Sequence, residues 1–103
     1  MTQTRTKDFT TKDLFNVGSA TPIKNVTGQT LTVTAVCVAT KADGELAGYI
    51  KDDKGAIYAT ISNSIIDQLQ ALAELVEESG AQGVKVLERT SNAGRTYFML
   101  ELV

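Results

Sequence analysis

The clearest pattern along the chain is an alternation between Gln29 and Thr40. Leu31, Val33, Ala35, Cys37 and Ala39 fall on one side, and Thr32, Thr34, Val36 and Val38 on the other. A period of 2 in β-favouring residues predicts a half-buried strand with the first set as its core face. It runs well past the common strand length of about 5–6 residues, as suits a coiled strand shared by two halves of a small barrel. Lys41-Ala42-Asp43-Gly44 then supplies an Asp-Gly turn. In a second strand, Glu45–Lys51, Leu46, Gly48 and Ile50 alternate with Ala47, Tyr49 and Lys51. Asp52-Asp53-Lys54-Gly55 turns the chain into a third, Ala56–Ser62, with Ile57, Ala59 and Ile61 on one face and Tyr58, Thr60 and Ser62 on the other. Gly48 inside its strand predicts a bulge or sharp bend.

The period changes over Ser64–Ser79, where Ile65, Leu69, Leu72, Ala73 and Val76 recur at helical spacing and form one apolar stripe. Asn63 or Ser64 is placed to cap this helix, Ser64 with Asp67 resembles a capping box, and Gly80 ends it. A fourth strand, Val84–Arg89, a turn at Thr90–Gly94 and a fifth strand, Arg95–Val103, complete the reading. In the fifth strand Phe98, Leu100 and Leu102 alternate with Tyr97, Met99 and Glu101. Ahead of the first strand the pattern lapses. Residues 1–21 read as a polar, flexible arm, closed by a loop at Gly18–Pro22. Within the arm, Thr11-Lys12-Asp13 opens a helical turn, or else Phe9 and Phe15 simply anchor it. The folded domain is expected over residues 22–103.

Three strands in a meander, one helix and a closing hairpin make the order β-β-β-α-β-β. That is the order of the OB-fold, a mainly β, five-stranded, partly open Greek-key barrel with its helix between strands three and four. A ferredoxin-like fold needs a helix after the first strand, and the stretch between Thr40 and Glu45 is too short for one. Four segments, PIKNVTGQTLTVTAVCV, GYIKDDKGAIYATIS, the apolar helix and ERTSNAGRTYFMLEL, give the chain a resemblance to the small OB-fold single-stranded-DNA-binding proteins of phages and mobile elements. The resemblance covers roughly Pro22–Val103. It implies a non-enzymatic binder of single-stranded DNA or RNA, serving phage or mobile-element DNA replication or recombination. It also implies a partner that is nucleic acid and a homo-dimer or higher oligomer. No glycine-rich linker or acidic C-terminal tail follows the barrel, so recruitment of repair enzymes through such a tail is not expected.

Composition narrows the chemistry. The chain has no histidine and one cysteine, which removes Ser-His-Asp and Cys-His catalysis and zinc sites built from those residues. Cys37 on an alternating strand reads as a small buried hydrophobe. Asp52-Asp53 could hold a divalent cation from a turn, but Asp-Asp-Lys-Gly reads as the turn itself. No enzyme activity, metal or cofactor is expected. The longest apolar run, Ala35–Ala39, is far too short to span a bilayer. The N-terminal residues lack an apolar secretion signal, and a cytoplasmic location, the host's if phage-encoded, is expected.

A sequence-tolerant binder of single strands needs aromatic faces for bases and positive groups for phosphates. The alternation places Tyr49, Lys51 and Tyr58 together on the outer face of the second and third strands, the usual oligonucleotide surface of the fold. Tyr97 is a third stacking candidate. Arg89, Arg95 and Lys41, in or beside the hairpin loops, are the phosphate candidates. Net charge is −2. The helix carries four carboxylates (Asp67, Glu74, Glu77, Glu78) and no Lys or Arg, so with ten basic residues in all the remainder is +2. That segregation suits modest, salt-sensitive affinity. An OB-type protein-interaction module, docking its acidic helix or a strand edge on a partner, is the competing expectation.

Overall fold

The computed structural model describes residues 4–103. Its elements are β1 (Thr4–Arg5), α1 (Thr11–Phe15), β2 (Thr21–Pro22), β3 (Thr30–Thr40), β4 (Leu46–Asp52), β5 (Ile57–Thr60), α2 (Asn63–Ser79), β6 (Gln82–Thr90) and β7 (Thr96–Leu102). The fold is mainly β: one curled, mixed sheet forms a half-barrel around α2. Strand order is β2-β5-β4-β3-β6-β7, with β1 added against β3. The five long strands and the helix follow the expected order. The sheet nevertheless has seven strands, because the N-terminal segment contributes β1 and β2. Among the described residues, β2 and β7 stand unpaired with each other at the two ends of the order. No described helix is long and apolar enough to cross a membrane.

β3 organises the sheet. Its first half pairs with β6 (Leu31↔Val84), and its second half pairs with β4 (Cys37↔Tyr49). The register breaks between Val33 and Ala35, where Thr34 donates its hydroxyl to the carbonyls of Lys51 and Asp52, each at 3.3 Å. A β-bulge changes which face each later residue occupies. Leu31 and Val33 face the main core, and beyond Thr34 that role passes to Val36 and Val38. Ala35 and Cys37 turn to the opposite side and form a second, smaller core with Phe9. The single core face expected from Leu31 to Ala39 is therefore two half-faces. The bulge expected at Gly48 sits here instead.

Gly48 answers to a different constraint. A Cβ there would lie 2.5 Å from Leu69 Cδ1 and 3.3 Å from Ile66 Cγ1, so glycine lets α2 rest directly on β4. The main core joins α2 (Ile65, Ile66, Leu69, Leu72, Ala73, Val76) to Val33, Val36, Val38, Ile50, Val84, Val86 and Leu100. Ser62, rather than Asn63 or Ser64, is the N-cap of α2, with no side-chain cap bond.

The flexible arm expected over residues 1–21 is folded wherever it is described, and its first three residues lie outside the described range. Thr4 and Arg5 pair with Val38 and Cys37. Thr6, itself buried, donates its N–H to the Val36 carbonyl at 2.9 Å and accepts the Val36 N–H at 3.0 Å. Thr10 and Asp13 close a capping box around α1, and Thr21–Pro22 run parallel to Tyr58–Ala59. Phe9 is 1% exposed and anchors the segment, whereas Phe15 is 87% exposed and does not. The polar composition concealed this because, beside Phe9, the anchoring falls to backbone bonds, to polar side chains such as Thr6 and Asp13, and to the partly buried Leu14 and Val17.

Candidate functional site

The register of β4 and β5 decides where the expected stacking residues point. Tyr49 pairs with Ala59 and Ile50 with Tyr58, and directly opposed residues share a face. Tyr49 and Tyr58 therefore project from opposite sides of the sheet, and the expected Tyr49–Lys51–Tyr58 surface does not assemble. Tyr58 packs against the main core and donates its hydroxyl to Asp52 Oδ2 at 3.4 Å. Burial, then the Asp52 charge, pushes its phenol above the usual range. Tyr49 stands on the outer face beside Phe9, ring centroids 6.3 Å apart and planes at 28°. Its phenol is raised too, first by burial and then by nearby Cys37.

Lys51 shares the Tyr49 face and is equally engaged. Its ammonium reaches Asp13 Oδ2 at 2.8 Å and the Asp8 carbonyl at 3.4 Å. Partial burial works against the Asp13 carboxylate. The bonds from Lys51 and Thr10 prevail and hold it below its ordinary value. Thus the segment Thr6–Val17 covers the outer face of β3, β4 and β5, supplying an aromatic ring to Tyr49 and a carboxylate to Lys51. The pattern missed this because these strands are buried on both sides: Ile57 and Ala39 pack under the segment while Val38 and Ile50 pack under α2. When both faces are apolar, alternation no longer marks the solvent side.

Asp52 is committed to the turn that follows it. It is buried, and its Oδ1 accepts the N–H groups of Lys54 (3.0 Å) and Ala56 (2.8 Å). The neighbouring Asp53 N–H donates to the Thr32 carbonyl at 3.0 Å. Lys41 sits 3.6 Å from Asp43 in the β3–β4 loop and lines a cleft of about 480 Å³ with Tyr49, Ile61 and Phe98.

The outer face of the β6–β7 hairpin is different: the residues of the segment Thr6–Val17 that pack on the sheet do so against β3, β4 and β5. Register places Arg89 opposite Tyr97, Leu87 opposite Met99 and Lys85 opposite Glu101. The alternate residues Val84, Val86 and Leu100 go into the core. Tyr97 is 38% exposed, Arg89 and Arg95 are exposed, and Leu87 and Met99 are half-buried. Neither arginine belongs to an ion pair among the described residues. No family model, curated protein or solved structure matches the chain. The hairpin must be read from its own chemistry. Directly opposed residues lie about 4.5–5.5 Å apart at Cβ, so Arg89, Tyr97, Leu87 and Met99 are neighbours on one face of the hairpin. Leu87 and Met99 were not among the residues expected to bind. The available signal was the apolar character of both faces of β6 and β7, where one face would have sufficed for the core.

Proposed function

We propose that the chain is an OB-type, non-enzymatic binder of single-stranded nucleic acid that uses the outer face of the β6–β7 hairpin. The observation that carries the reading is Arg89 directly opposite Tyr97, both exposed, beside the half-buried apolar Leu87–Met99 pair and the exposed Arg95. A base stacks on an aromatic for about 1–3 kcal/mol regardless of its identity, and Arg holds phosphate oxygens by forked hydrogen bonds. The β-β-β-α-β-β order of the longer strands, with β3 pairing β6 through its first half and β4 through its second, supports the OB-type assignment. The setting proposed is DNA replication or recombination of a phage or mobile element, in the cytoplasm, with single-stranded DNA or RNA as partner and a homo-dimer as the assembly.

Anisotropy titration of fluorescein-labelled oligo(dT) at low and moderate salt tests this. Tyr97→Ala should weaken binding by roughly tenfold, equivalent to about 1.4 kcal/mol. Arg89→Ala with Arg95→Ala should reduce the salt dependence by close to two phosphate contacts. Tyr58→Phe should bind as the unaltered chain does. Unchanged affinity in Tyr97→Ala would sink the stacking face. Absence of binding at low salt would favour a protein-interaction module instead.

A further inference from the structure

The 480 Å³ cleft has a position that the nucleic-acid reading does not use. It is lined by Pro22 of β2 on one side and Phe98 of β7 on the other, and these strands are the two ends of the sheet. The cleft is the open seam of the half-barrel. Its floor is apolar, including Ile61, which is 66% exposed. Among the described residues its charged lining is Lys24 and Lys41, the latter 3.6 Å from the Asp43 carboxylate beside the cleft, which an incoming carboxylate would have to replace.

Backbone geometry defines what can enter. Leu100 of β7 sends its N–H and C=O away from β6 to the side-chain amide of Gln68, both bonds 2.7 Å. In an antiparallel pair the direction of these groups repeats every second residue, so the backbone of Phe98 also faces away from β6, toward the seam. Across the seam, Pro22 has no N–H to offer. β7 is thus the edge that can accept a strand, and Gln68 limits the pairing to the part of β7 ahead of Leu100. The two rings that line the seam are already packed, Tyr49 on Phe9 and Phe98 on the main core. That leaves an exposed isoleucine and two lysines as the features an incoming chain would meet.

We infer that the seam between β2 and β7 is a docking groove for an extended, acidic segment of a partner protein carrying one large apolar side chain. The segment adds to β7 at Phe98, inserts its apolar side chain against Ile61, and sets its carboxylates against Lys24 and Lys41. This is strand addition, in which main-chain bonds give affinity and the pocket gives selectivity. The groove and the hairpin face are separate surfaces, so either reading can fail alone.

The test is amide chemical-shift mapping of the isotope-labelled full chain with the peptide Asp-Glu-Asp-Phe-Asp-Glu-Asp. Two control peptides carry Ala in place of Phe, or Lys in place of every carboxylate. The Phe peptide should shift the amides of Phe98, Ile61 and Ala47 and bind roughly tenfold more tightly than the Ala peptide. Ile61→Asp should abolish the shifts, and so should Lys24→Glu with Lys41→Glu. These residues are exposed, so the variants keep the fold, checked by circular dichroism. Silence at these amides at millimolar peptide, or equal binding by the Lys peptide, overturns the inference. Shifts there from oligo(dT) and none from the peptide overturn it in favour of nucleic acid. Shifts that depend on protein concentration without any peptide overturn it in favour of a second copy.

Discussion

Replacing Phe9 by alanine removes the ring that holds the N-terminal segment to the outer face of β3 and β4. Phe9 is 1% exposed and packs with Ala35, Cys37 and Tyr49. Truncating a buried phenylalanine costs about 3–5 kcal/mol through lost transfer energy and the cavity left behind. The lower end applies, because a short surface segment collapses into a void more readily than a central core does. About 3 kcal/mol is a large part of the roughly 5–15 kcal/mol that holds a domain folded. With a urea m-value of about 1–1.5 kcal/mol/M, the unfolding midpoint should fall by about 2–3 M. Cys37 gives a second readout, since it is fully buried beneath this segment. In Phe9→Ala its thiol should react with a chromogenic thiol reagent well below the urea transition, while in the unaltered chain it stays protected until global unfolding. A midpoint change under about 0.5 M with unaltered thiol protection would refute the reasoning. Tyr49 and Lys51 would then be bare in solution, and Tyr49→Ala should weaken oligonucleotide binding.

Gly48→Ala places a methyl 2.5 Å from Leu69 Cδ1, and overpacking of this kind should cost about 1–3 kcal/mol in denaturant unfolding with an unchanged m-value. Gln68→Ala strips the partners from the Leu100 N–H and C=O. It should cost about 1–3 kcal/mol, speed hydrogen exchange at Leu100, and promote concentration-dependent association through the β7 edge in sedimentation runs. Asp13, whose carboxyl is held below its ordinary 3.8, contributes stability that is fully present above that value and lost as pH falls through the lower folded one. Asp13→Asn should therefore lose about 0.5–1 kcal/mol near neutral pH, a figure discounted for solvent screening of a partly exposed pair. The two stability curves should converge only once the pH has fallen below the lowered folded value.

The long strands and the helix were legible because each carries a period that spans several turns or rungs, and their order alone indicated a β-rich barrel-like fold. What was illegible depended on single residues. Thr34 bulges, and every side chain after it changes face, so Cys37 is buried in a different core from Leu31. The pairing of Tyr49 with Ala59 rather than Tyr58 is a matter of one residue in the β4–β5 turn, and a slip of one residue exchanges the faces of a whole strand. Gly48 announced a local exception correctly, yet close helix packing and a bulge leave the same mark in a sequence. Of the residues expected to bind, Arg89, Arg95 and Tyr97 are gathered on one hairpin and Lys41 lines the seam. Tyr49, Lys51 and Tyr58 are each occupied by a partner within the chain.

β3 being shared among β1, β4 and β6 also sets an order of assembly. The β3–β4 and β6–β7 pairings each close over a short loop and need only neighbouring residues. The rung Thr30↔Lys85 joins residues far apart in the chain and is expected to form after the local hairpins. Contacts of that separation slow folding, because loop closure must precede the energy it releases. During that interval the Thr30–Val33 edge of β3 is unclaimed by β6, and the second half of the strand is apolar on both sides. Residues Thr4–Phe9 are made before β3 and can pair with its second half as soon as it is made. In a chain emerging from the ribosome the N-terminal segment thus covers part of the half-built sheet while the rest of the domain is still being synthesised.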